Sequence, residues 1–210
     1  MSAVEFRVLE LINARLCHEL VSPVGAINNG VELLDEDDAD FVRDAIQLIG
    51  QSARKAGQRL QFYRFAYGTS ASGGAASGRD LALGLLEGGK VRCDWSAEAT
   101  TLPAHWQRLA CNMLVLAADA LPRGGTILVR PLRAGASGIE VTAEGEAVNL
   151  GPELRGALDP AAPVDELTSR TVHAYFTQRL AQILGATVAI AEAEPQRAVF
   201  RATAGSAEQG

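Results

Sequence analysis

The chain of 210 residues holds three cysteines, three histidines, two methionines and two tryptophans, and only Lys55 and Lys90 among its 19 cationic side chains are lysines. Each scarcity closes a class of function. Cys17, Cys93 and Cys111 are an odd set with no C-x-x-C spacing, which argues against a disulfide framework and reads as a reduced, cytosolic chain. His105 and His173 lack Cys, Asp or Glu at metal-ligand spacing, and no Ser/His/Asp arrangement is visible, so metal-site and hydrolase chemistry have little to stand on. An excess of basic charge is also missing. The 25 acids against 19 bases give −6 and a pI near 5.1, so no global field favours a nucleic acid. The most apolar stretch, 109–121, is interrupted by Asn112 and Asp119 and is short of the roughly 20 residues a bilayer crossing needs. The start MSAVEFRVLE carries an acid at position 5 and no apolar signal core. Neither a nucleic acid nor a membrane is expected as a partner, and the cytoplasm is the expected compartment. What remains, 48% hydrophobic and 21% charged with a mean hydropathy of +0.07, is an ordinary globular chain with room for one or two cores.

The stretch 68–79, GTSASGGAASGR, is built from residues that bury little apolar surface, and it divides the chain into 1–67 and 80–210. Upstream, Leu9, Ile12, Leu16, Leu20, Val24, Ile27, Val31 and Leu34 step by three or four, the stripe of one amphipathic helix over 4–34. The acidic turn at 35–40 supplies capping oxygens and favourable charge for a second helix over 39–67, whose stripe runs Val42, Ile46, Ile49, Ala53, Ala56, Leu60, Tyr63, Tyr67. Two such helices, each on the order of 45 Å long, make an antiparallel hairpin that cannot cover both of its stripes. A second copy, giving a homodimeric four-helix bundle, is the simplest cover, and the downstream half folding back is the alternative. Beyond 79 the pattern is mixed: helices over 80–87, 103–121 and 164–184, and strands over 90–95, 126–132, 139–143, 187–191 and 198–203. Helices grouped on one face of a mixed sheet make an α/β sandwich, so the fold class is α+β: a helical hairpin followed by an α/β sandwich.

His18 is the informative histidine. It lies two residues from both Leu16 and Leu20, about 200° around a helix, and so points away from the buried stripe. An outward imidazole has no packing duty, and its unprotonated nitrogen is nucleophilic near neutral pH. Pro23, five residues on, removes the amide that would bond the carbonyl of Glu19, a costly feature one turn past the histidine. Glu19 is placed to accept a proton, although adjacent helix residues do not face each other. Ser22, one turn from His18, offers a hydroxyl to a phosphoryl oxygen or to the local backbone. Arg54, Lys55, Arg59 and Arg64 on the second helix read as a solvated face or as a docking face for an acidic partner. Val21 and Val24 are docking candidates if uncovered.

The run H-E-L-x-x-P at His18, Glu19 and Pro23 resembles the phosphoacceptor box of the dimerisation and histidine-phosphotransfer domain of bacterial histidine kinases, and the second half resembles their ATP-binding domain. That second half departs from the kinase pattern at each nucleotide box. Asn112-Met113-Leu114-Val115-Leu116-Ala117 puts Leu116 where the family has a magnesium-binding asparagine, and leucine cannot ligate magnesium. Ala143-Glu144-Gly145-Glu146-Ala147 lacks the aspartate and one glycine of the adenine box. Thr171-Val172-His173 stands where a G-x-G loop would approach phosphate. A kinase-like layout with degraded nucleotide boxes, together with LCHELVSPVGAI, SARK and LQFYRFAYGTSAS, resembles the ChpT-type histidine phosphotransferases.

The resemblance implies a homodimer in which His18, with Glu19 and Ser22, relays a phosphoryl group from the receiver domain of a CckA-like hybrid histidine kinase to CtrA-like and CpdR-like response regulators. It implies no cofactor of the chain's own, with magnesium held by the partner receiver. Two other functions fit the same hairpin: a divergent ATP-dependent histidine kinase, and a non-enzymatic module that binds response regulators.

Overall fold

Apolar stripes and caps set the helices. The computed structural model describes residues 3–68, 76–132 and 138–205, with side chains from Phe6 onward; residues 69–75 of the expected linker lie outside the described residues. Helix α1 spans Ala3–Glu32 and runs into a 3-10 turn at Leu33–Asp35. Helix α2 spans Ala39–Tyr67, and the Asp38 carboxylate caps it by accepting from the Asp40 amide at 2.8 Å. The two helices approach closely at Gly30, where an added methyl would stand 2.7 Å from Ile49 Cγ1.

Helix α3, Gly78–Leu86, starts two residues before the expected position, inside the stretch expected as linker. The reason is a reciprocal capping box: the Ser77 hydroxyl accepts from the Asp80 amide, and the Asp80 carboxylate accepts from the Ser77 amide, each at 3.2 Å. The strands are β1 (Val91–Trp95), β2 (Gly125–Pro131), β3 (Gly138–Glu144), β4 (Ala186–Glu194) and β5 (Arg197–Ala204). They form a sheet ordered β1-β2-β3-β5-β4, with β1 parallel to β2 and the remaining pairs antiparallel. Val129, Val141 and Phe200 stand in register across its centre and are fully buried.

Helices α5 (Ala104–Asp119) and α7 (Val172–Ile183) cover one face of this sheet, which makes the mixed α+β sandwich. The other face is polar, with Arg201 donating to the Glu140 carboxylate at 2.7 Å across β5 and β3. Two short helices, α4 (Ala97–Thr100) and α6 (Pro152–Ala157), have no counterpart in the sequence reading. The helix expected over 164–184 is shorter than its pattern suggests. Residues Val164–Glu166 make a 3-10 turn, and α7 begins only at Val172 because Thr168 and Thr171 bond each other instead of a helix ladder. The Thr171 hydroxyl accepts from the Thr168 amide at 2.9 Å.

The hairpin is covered at one end by the chain itself. Leu11 of α1 and Phe62, Tyr63 and Ala66 of α2 belong to the same buried core as Leu109, Met113 and Leu114 of α5. The downstream half therefore folds back onto the hairpin's base, as the alternative cover required. Among the described residues no helix is long and apolar enough to cross a membrane.

Candidate functional site

Helix α1 carries His18 at mid-length with its side chain exposed, as the stripe phase requires. Ser22, one turn on, is exposed too, whereas Pro23 is buried and α1 continues through it. Glu19 is partly buried and does not stand free beside the imidazole. Its carboxylate accepts from Arg59 Nη1 of α2 at 2.7 Å, and its backbone carbonyl accepts from the same nitrogen at 2.5 Å. Arg59 is thus drawn out of the cationic face read from the sequence, whereas Arg54, Lys55 and Arg64 remain exposed. Val21 and Val24 are 68% and 46% exposed, so both docking candidates are uncovered.

His18 and Glu19 line a cleft of about 680 Å³ between α1 and the sheet-bearing half. Its far wall is built by Leu116 and Asp119 of α5, by Asn149 to Leu154 leading into α6, and by Ser169–Thr171 before α7. Arg15, one turn before His18, bridges the two walls: its Nη2 donates to the Asp119 carboxylate at 2.7 Å and its Nη1 to the Arg170 carbonyl at 3.4 Å. The sequence reading missed Arg15 and Asp119. The spacing of Arg15 from His18 is a legible signal, but its partner, 104 residues away, is not.

The three degraded boxes hold other contacts. Asn112 is buried and its amide donates to the carbonyls of Ala66 at 3.0 Å and Arg108 at 2.9 Å. The Ala66 carbonyl, one of those α2 cannot satisfy at its own C-terminus, also accepts from Arg108 Nε at 3.1 Å. His173 is fully buried between the Asn112 carbonyl, 2.9 Å from Nε2, and the Tyr67 hydroxyl, 2.7 Å from Nδ1. A carbonyl only accepts, so Nε2 carries the proton, and the Tyr67 hydroxyl donates to Nδ1. Burial holds this imidazole down at about 3, so it is neutral, and pushes the neighbouring Tyr63 hydroxyl up to about 12. Glu144 pairs with Arg197, and Gly145 packs 2.7 Å, at the position of an added methyl, from the Gly124 carbonyl.

These contacts do not suit a magnesium nucleotide. Leu116 offers no oxygen, and the His173 ring fills the space a glycine would leave open. Among the described residues no group of Cys, His, Asp and Glu gathers at metal distance either. The three cysteines are free; burial raises the Cys93 thiol to about 11 and Cys111 further.

Comparisons with known proteins give the family of the chain. A family model described as the histidine phosphotransferase C-terminal domain matches residues 77–196. The protein phosphotransferase ChpT of Brucella abortus (strain 2308) is 35% identical over 185 residues, spanning 86% of this chain and 88% of that protein. A solved bacterial phosphotransferase is 33% identical with a TM-score of 0.74, covering 96% of this chain and 97% of its own. With the family model spanning more than half of the sequence and the relatives extending through the hairpin, the chain belongs to the ChpT-type histidine phosphotransferases, a protein phosphotransferase on an α+β fold.

Proposed function

We propose that the chain relays a phosphoryl group between receiver domains through His18. The observation that carries this is the exposed imidazole at the rim of a cleft whose opposite wall carries Leu116, a side chain with no oxygen for magnesium. The donor is the aspartyl phosphate of one receiver. An unprotonated nitrogen of His18 attacks phosphorus, the N–P bond forms as the P–O bond to the aspartate breaks, and the aspartate leaves as a carboxylate. A second receiver then reverses the step with its own aspartate. Such transfer depends on alignment and charge stabilisation, and the receiver's carboxylates hold the magnesium that supplies the latter. The chain needs no cofactor of its own. Ser22 offers its hydroxyl to the phosphoryl oxygens, Glu19, its carboxylate held by Arg59, is the proton acceptor of the same turn, and Val21 gives the receiver an apolar seat beside the histidine.

The working unit is a homodimer. Val24 and Val31 of α1, Leu34 of the 3-10 turn after it, and Ile46 and Leu60 of α2 lie on the two stripes that the sequence marks for burial, yet they are 38% to 59% exposed in one chain. A second hairpin across a two-fold axis covers them. Donor and acceptor are receivers of a hybrid kinase and of response regulators, as in a phosphorelay.

The test is label tracing with ATP and with a phosphorylated receiver, side by side, on the wild type and on His18→Ala. The expected result is label moving from the receiver to the wild type only, and none from ATP. Label from ATP would make it a kinase. Binding of the receiver with no transfer, unchanged by His18→Ala, would make it a sequestering module.

A further inference from the structure

Pro23 has no N–H, so the helix leaves the carbonyl of Glu19 without the donor that every ordinary helical carbonyl has four residues on. The structure supplies one from the other helix. Arg59 Nη1 donates to that carbonyl at 2.5 Å and to the Glu19 carboxylate at 2.7 Å, and a guanidinium Nη carries two hydrogens, one for each acceptor. The pair is about a third exposed, at 32% for Arg59 and 28% for Glu19. This is a partly desolvated, charge-assisted contact and not a loose surface pair. The carbonyl belongs to the turn immediately after His18, and the same turn carries Ser22.

We propose that Arg59 is a positioning residue for phosphotransfer: it replaces the amide that Pro23 removes, fixing the turn that presents His18 and Ser22, and it draws the Glu19 carboxylate toward α2. The proposal rests on His18 being the phosphoryl acceptor. It separates Arg59 from its neighbours Arg54, Lys55 and Arg64, whose exposed cations are free to meet a partner. Proline in this place interrupts the helix's own ladder next to the reacting histidine, and the arginine restores rigidity from outside that ladder.

The test is a cycle on the full-length protein: Arg59→Met, Pro23→Ala and the double variant, with transfer from a phosphorylated receiver measured over a range of receiver concentrations. Arg59→Met is expected to lower the rate at saturating receiver by roughly tenfold or more, with the half-saturating concentration nearly unchanged. Pro23→Ala returns an amide to the Glu19 carbonyl, so Arg59→Met in that background is expected to cost markedly less. The backbone ¹³C resonance of the Glu19 carbonyl is expected to shift in Arg59→Met and to stay in place in Arg54→Met. An unchanged saturating rate, a loss confined to half-saturation, or equal losses with and without the Pro23→Ala change each overturns the proposal. The same cycle with Arg59→Lys keeps the test open if the methionine variant does not fold. Failure of the wild type to take label on His18 would instead overturn the relay reading, while the carbonyl resonance still reports the clamp.

Discussion

The two ends of the helical hairpin are built from similar residues and meet different fates. At the base, Phe62 and Ala66 are fully buried against α3 and α5, Tyr67 stands edge-on to Phe176 at 5.0 Å, and Asn112 and Arg108 close the orphaned carbonyl of Ala66. At the far end, Val31, Phe41 and Ile46 are half-exposed or more. One end has found its partner within the chain, and the other presents an apolar surface to something else. His18 lies between the two, on a helix held by Arg15 on the base side and by Arg59 on the far side. The same kind of substitution should therefore have opposite consequences at the two ends.

The largest effect is expected at the base. Phe62→Ala removes a fully buried ring from the shared core and should cost about 3–5 kcal/mol of unfolding free energy, read as a lower denaturant midpoint. A loss below about 1 kcal/mol would mean that the hairpin base and the sandwich are not one core. At the far end, Ile46→Asp removes apolar area that is covered only if another chain lies on it. It should leave the fold of one chain intact and weaken self-association by about 2 kcal/mol per copy, the worth of one buried isoleucine, in sedimentation over a dilution series. Identical sedimentation of variant and wild type at every concentration would remove the far end as an interface.

How much of this is legible in the sequence differs by residue. The phase of His18 and the bounds of α2 follow from a 3.6-residue stripe and an acidic cap, both local signals, and the structure returns them with α2 at Ala39–Tyr67. The succession of strands along the chain follows from local patterning, and the loss of the nucleotide boxes is readable because single positions, Leu116 and His173, carry the wrong chemistry for their place. The new employment of those positions is not readable. Nothing in the sequence says that His173 meets Tyr67 across 106 residues, or that Arg15 meets Asp119 across 104. The start of α7 is misread for a local reason, two threonines whose hydroxyls compete with the helix ladder. Site contacts that join distant segments are set by the tertiary fold, and a stripe reports only that a face is buried, not what buries it.

The sealed base also carries a pH signature of its own. His173 is neutral in the folded chain down to about pH 3, whereas in the unfolded chain it takes up a proton below about 6.5. Between those values the unfolded state binds the extra proton, so this contribution to stability is whole above pH 6.5 and is lost as the pH falls toward 3. The slope from one such group is ~1.4 kcal/mol per pH unit. His173→Gln cannot titrate, so its unfolding free energy between about pH 6 and pH 4 should fall less steeply than that of the wild type by up to that amount. Parallel slopes would mean that the imidazole is not sealed in the fold.

The smallest effect belongs to the polar face of the sheet, which like the far end of the hairpin is open but, unlike it, needs no cover. Glu140 and Arg201 stand opposite each other on β3 and β5, joined at 2.7 Å with side chains 27% and 42% exposed. Water competes for both charges, and holding two long side chains in one geometry costs entropy, so the pair is worth only about 0.2–1 kcal/mol. The double-mutant cycle of Glu140→Gln and Arg201→Gln should give a coupling in that range, shrinking in high salt, with sedimentation and phosphotransfer unchanged. A coupling above about 2 kcal/mol, insensitive to salt, would show that this face is covered by a partner after all, and the contrast between an apolar end awaiting a second chain and a polar face already content with water would fail.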